Sequence, residues 1–160
     1  MKRVRHLALA AAALAAAPAA AVQGGAGFTP LDEQIQMQFR YNSQIEAPRY
    51  EAIRDDGSWR DLWLQMTAGR GPRPLRPQVN FDREMLLVAA MGTQRTGGYT
   101  IRISSVRETR AELVATVVRT SPGRRCGTTA ALTEPADIVR VRATAKPVRW
   151  VYRDVVHRCP

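Results

Sequence analysis

The residues of this chain that could do chemistry are few and widely separated. Cys126, His157 and Cys159 lie towards its C-terminal end. A thiolate beside an imidazole can act as a nucleophile, and cysteine with histidine can hold zinc. Three ligands without a fourth make a poor structural zinc site, however, and an even pair of cysteines in an oxidising compartment is most simply a disulfide. Asp82 and Glu84 stand two apart, as paired general acids on an extended segment would. Beside Arg83 at the start of a strand they read better as a solvated edge. Gly92 and Gly97 have the spacing of a phosphate-binding loop, but Gly98 and Tyr99 stand where lysine and Ser/Thr are needed. An alternating strand follows instead of the helix whose N-terminal amides would bind the anion. The expectation is therefore a chain with no catalytic residues, no cofactor and no metal.

Lys2, Arg3 and Arg5 precede an apolar run, Leu7 to Ala17, and then Pro18 and three alanines. That is the pattern of a secretory signal peptide over residues 1–21, with the mature chain starting near Val22, exported to the periplasm or beyond. The run is too short for a stable membrane span, so none is expected after cleavage. Cleavage lowers the formal charge from +10 to +7, and Lys146 is then the sole lysine. The arginines are spread through every segment with acids between them, unlike the clustered stripe of a nucleic-acid footprint. No nucleic-acid partner is expected.

Residues 22–30 read as a glycine-rich, flexible lead-in, and residues 31–160 as one β-rich domain. Ile35, Met37, Phe39 and Tyr41 alternate with polar residues, which predicts a strand; "RYEAIRD" (Arg49 to Asp55) predicts a second. Trp59, Leu62, Trp63 and Met66 share one helical face behind Ser58, a predicted N-cap, and fit a core plug better than a ligand-stacking pair. "GRGPRPLRP" (Gly69 to Pro77) reads as an extended connector, because its prolines lack donors. The apolar run Met85 to Ala90 suits a strand buried on both faces. Four further strand-like segments follow, Ala111–Thr120 and three that alternate apolar with arginine, around Ile101, Ala136–Ala143 and Val148–Val155. Seven short strands and one packed helix predict an antiparallel sandwich or barrel-like domain, with Gly97-Gly98 turning a hairpin.

The stretch "FDREMLLVAAMGTQRTGGYTIRI" and the later "TEPADIVRV" resemble the C-terminal domain of the protease-complex subunit PrcB family, over about Val79 to Ala143. "EAIRDDGSWRDLW" resembles the segment that often precedes that domain. The chain departs from the family's pattern at Asn80, where aspartate is usual, and in lacking a lipid-attachment cysteine near the leader. The resemblance implies an exported, noncatalytic protein-interaction module, an accessory subunit whose partner is a protease. The loop Arg95, Thr96, Gly97, Gly98 and Tyr99 is also similar to the threonine-glycine-tyrosine loop of chagasin-type cysteine-protease inhibitors. Glycines let backbones approach closely and tyrosine anchors interfaces, so this loop is the candidate partner-binding site. A third reading is a small-ligand or polysaccharide binder working through Trp59, Trp63 or Trp150.

Overall fold

The computed structural model describes residues 27–160 except Asp32; the expected leader over 1–21 lies outside the described residues. Seven strands form two sheets. The first has the order β1 (Thr29–Pro30), β6 (Ala136–Arg142), β3 (Glu84–Ala90), β2 (Arg49–Ile53). The second has the order β4 (Thr100–Glu108), β5 (Leu113–Pro122), β7 (Val148–His157). Neither sheet closes on itself, and the sheets stack as a sandwich. Two helices, α1 (Glu33–Phe39) and α2 (Asp56–Met66), complete the described elements.

β3 is the axis of this arrangement. It lies between β2 and β6, and every residue from Met85 to Ala90 is buried. Because side chains alternate along a strand, Leu86, Val88 and Ala90 enter one core while Met85, Leu87 and Ala89 enter another. The first core lies under α2, whose Trp59, Leu62, Trp63 and Met66 are all buried. The second lies between the sheets, opposite Ile101, Ile103, Leu113, Ala115 and Val117. The molecule is thus helix on sheet on sheet. The proline-rich connector wraps α2: the Trp59 and Trp63 indole N–H groups donate to Pro77 O (3.0 Å) and Pro74 O (3.3 Å). A buried indole N–H needs an acceptor, and proline keeps its carbonyl although it lacks a donor.

Four expectations are corrected. The segment predicted as a strand from Ile35 to Tyr41 is the helix α1. Its glutamines, glutamate and methionine favour helix, and among the described side chains of its alternating set Phe39 is a core residue while Met37 and Tyr41 are exposed. The edge of the first sheet is instead the short strand β1, where Thr29 and Pro30 pair with Arg140 and Val139. The lead-in therefore ends in a strand, and the total of seven survives through that exchange. The cap of α2 is Asp55, whose carboxylate accepts from Ser58 N at 2.8 Å; Ser58 lies inside the helix and donates its hydroxyl back. The second sheet is not wholly antiparallel: β5 and β7 run parallel in register from Leu113↔Val148 to Pro122↔His157. Between them the chain crosses to β6 in the other sheet, and the return brings β7 in with the direction of β5. Finally, Met91 to Tyr99 is no hairpin. It leaves β3 in one sheet and delivers β4 to the other.

Cys126 and Cys159 form a disulfide. Cys126 lies four residues beyond Pro122, where β5 ends, and Cys159 two beyond His157, where β7 ends, so the bridge staples the C-terminal ends of two parallel strands. Gly123 N donates to His157 O (2.8 Å) at the same place. The Cys126, His157 and Cys159 ligand atoms lie within 4.8 Å of one another, but the two sulfurs are spent on each other. Among the described residues, no helix is long and apolar enough to cross a membrane.

Candidate interaction site

The crossover loop is held from three sides. Thr93 N donates to Glu46 O at 2.9 Å, and Gly97 N to Thr129 O at 3.0 Å. Gln94 and Thr133 exchange both backbone hydrogen bonds, at 2.7 and 3.0 Å, while the Thr133 hydroxyl donates to Thr96 O at 2.9 Å. Met91 N donates to Pro135 O at 3.0 Å. The two stretches that carried the family resemblance, Thr-Gly-Gly-Tyr and Thr-Glu-Pro, are thus clasped together although more than thirty residues separate them.

The glycines are where the clasp is tightest. Gly92 has φ +74°, and a Cβ there would lie 2.7 Å from Glu46 O and 2.9 Å from Pro48 N. Gly98 has φ +87°, with Pro122 Cβ 3.1 Å from the place of its missing methyl. At Gly97 a Cβ would run into Thr129 Oγ1. Both positive angles favour glycine. The five candidate residues are therefore not equally presented. Gly97 is buried, Thr96 and Tyr99 are half-buried, and Arg95 and Gly98 face solvent together with Thr93.

Beside the loop lies a shelf that sequence reasoning missed. Pro48, Tyr50, Met91, Gln94, Arg119 and Asp154 line a hollow of about 310 Å³. Arg119 and Asp154 pair across β5 and β7 in a two-bond fork, at 2.7 and 2.8 Å. Hydrogen bonds to Asp154 and then Tyr50 raise the pKa of Arg119, and the Arg119 bond lowers that of Asp154. The Arg119 guanidinium also lies 4.9 Å from the Tyr152 ring centre, and Tyr152 meets Tyr50 edge-on at 4.9 Å. The signal was present in the strand pattern. Leu113, Ala115, Val117 and Arg119 keep one parity, as do Val148, Trp150, Tyr152 and Asp154. Where charge replaces apolar side chains on the inward parity, the strands run past their covering sheet.

The remaining candidates fall elsewhere. Trp59 and Trp63 are sealed in the core at 0% and 2% exposure, whereas Trp150 is half-buried at the sandwich edge. Asp82 lies in a turn before β3, its N–H on Asn80 Oδ1 at 3.1 Å, and Glu84 stands 3.7 Å from Arg140. At the opposite edge, Asp137 on β6 reaches across to accept from Ile103 N of β4 at 2.7 Å. Burial raises its pKa, opposed by that hydrogen bond and by the charges of Arg102 and Arg40. It joins the two sheets.

Residues 85–142 match the family model described as PrcB C-terminal. The match runs from β3 through β6 and contains both halves of the loop clasp; β2, α2 and β7 lie outside it. No curated protein and no solved structure matches the chain.

Proposed function

We propose that a PrcB C-terminal domain set in this three-layer frame makes the chain an exported, noncatalytic protein-binding module, an accessory subunit of a protease complex. The observation that carries the reading is the clasp within the matched segment. Thr96, Gly97, Thr133 and Pro135 hold the loop rigidly, so that Arg95 and the Gly98 backbone project from a fixed base. A preorganised loop binds without an ordering cost, and exposed arginine beside open glycine backbone suits a protein partner. The shelf of Tyr50, Arg119, Tyr152 and Asp154 adjoins it and extends the same surface. The noncatalytic part of the reading is supported by His157, whose neighbouring sulfurs are bridged and offer no thiol to activate. The leader pattern and the disulfide both support export.

The test is affinity capture from envelope extracts of the native host, comparing the wild type with Arg95→Glu. A protease is expected among the proteins retained by the wild type, with recovery reduced at least fivefold (a loss of about 1 kcal/mol) in the variant. Equal recovery from both removes the loop from the account. An eluate without a protease removes the protease partner.

A further inference from the structure

The outer face of the three-stranded sheet gathers arginines that the sequence scatters. Pairing across β4, β5 and β7 sets Arg107, Val114 and Arg149 in one row, and Arg102, Val118 and Arg153 in another. Ser105, Thr116 and Val151 fill the row between, the bulge after Ile103 keeping both β4 arginines on this face. At about 3.3 Å per residue and 4.8 Å between strands, four arginines frame a patch of about 13 by 10 Å. Its floor is valine and threonine.

All four arginines are exposed. Arg149 bonds Glu112 at 2.8 Å. Among the described residues, Arg102, Arg107 and Arg153 make no ion pair, and Asp137, which feels the charge of Arg102, sits at the sheet edge. Asp154 and Glu108 have the inward parity. Val114 is nevertheless buried, at 6% exposure, and belongs to neither core. It lies between Arg107 and Arg149, and arginine stems cover apolar surface in this way. The other sheet shows what such a face can carry, because its outer side is covered by α2. Neither described helix packs on this one; β2, β3 and β6 approach from the inner side.

We infer that this face docks an acidic amphipathic helix of a partner protein. A helix is about 10 Å across, so one lying along β5 would set its apolar stripe on half-buried Val118 and on the arginine stems that cover Val114. Carboxylates on its two flanks would meet the β4 and β7 arginines, whose planar forks match carboxylates. A bilayer is a poorer fit, because the valines lie below the arginine heads and cannot reach acyl chains. This inference rests on the reading of the chain as a protein-binding module but uses a different surface from the Arg95 loop.

The test uses fluorescence anisotropy of two synthetic 18-residue helical peptides against the disulfide-bonded protein. One peptide carries glutamates flanking a leucine–alanine stripe, and its twin carries glutamine in their place. The glutamate peptide is expected to bind at least tenfold more tightly than the twin, and to lose about tenfold with Arg102→Ser/Arg153→Ser, a factor of ten being about 1.4 kcal/mol. Binding is also expected to weaken as salt screens the pairs. Arg95→Glu, the variant that tests the loop, should leave this affinity unchanged, so the two surfaces fail separately. Equal binding of both peptides, no binding at millimolar protein, or full affinity in the double variant would overturn the inference. So would retention on phosphatidylglycerol vesicles or a sulfated polysaccharide without binding of the glutamate peptide. Unchanged thermal unfolding of the double variant establishes that it is folded, and Arg107→Ser, at the other row, should also weaken binding of the glutamate peptide, unchanged affinity there counting against the inference.

Discussion

Gly92 and Gly69 separate two reasons for a glycine. Both have positive φ, +74° and +69°, but a methyl at Gly69 would meet nothing within 4 Å, whereas at Gly92 it would meet Glu46 O and Pro48. A left-handed angle alone costs a non-glycine residue about 1–2 kcal/mol. Gly69→Ala is expected to destabilise by about that much in urea unfolding. Gly92→Ala should cost at least about 1 kcal/mol more, because the clash is with backbone and a proline ring and cannot be relieved by turning a side chain. Equal losses would show that the crossover loop is not gripped as the contacts indicate. The glycine spacing was plain in the sequence, and so was the absence of the lysine that a phosphate loop needs. Which glycine faces Glu46 was not, because the segments from Gln44 to Pro48 and from Thr128 to Pro135 come together only in the folded chain.

At the scale of elements, the disulfide and the parallel pair explain one another. Parallel strands need a long crossover, and here it passes through β6 in the opposite sheet before β7 returns beside β5. The far ends of β5 and β7 overhang the inter-sheet core, with Ser121 half-buried and Val156 60% exposed. The bridge over 33 residues compensates for that thin cover. Cys126→Ser/Cys159→Ser is expected to lower stability by about 3–4 kcal/mol in the chain-entropy model. Hydrogen exchange should show the loss of protection falling first on 120–123 and 155–157. Loss spread evenly over β3 and β6 would contradict a local staple. The pairing of the two cysteines was legible because only two exist. The α1 segment was misread because Phe39 answers to both periods: it falls on the alternating set, yet it is buried edge-on against Trp63 of α2 at 5.5 Å.

Over the whole molecule, β3 belongs to both cores, so neither can open alone. Trp59 and Trp63 report on the helix-side core, and Trp150 packs against the inter-sheet core. Unfolding followed by tryptophan fluorescence and by far-ultraviolet circular dichroism should give one midpoint, unchanged in method dependence when Trp150→Phe leaves only the helix-side reporters. Two midpoints would mean that the layers melt independently. The same sharing explains why a small chain carries three layers. A strand buried on both faces serves two apolar surfaces with one run of residues.

Composition, spacing and motif were enough for the β-rich class, the helical face of α2, the doubly buried strand, the cysteine pair and the resemblance of about Val79 to Ala143 to the PrcB C-terminal domain. Each is a local pattern: a period, a composition, a run or a motif. The folded chain alone shows that the glycine loop crosses between sheets, that β5 and β7 run parallel, that charged side chains end the inward face, and that arginines from three segments form one patch. Those facts depend on register and sheet membership. They are set by which apolar faces meet, and no period along a single strand records its neighbour.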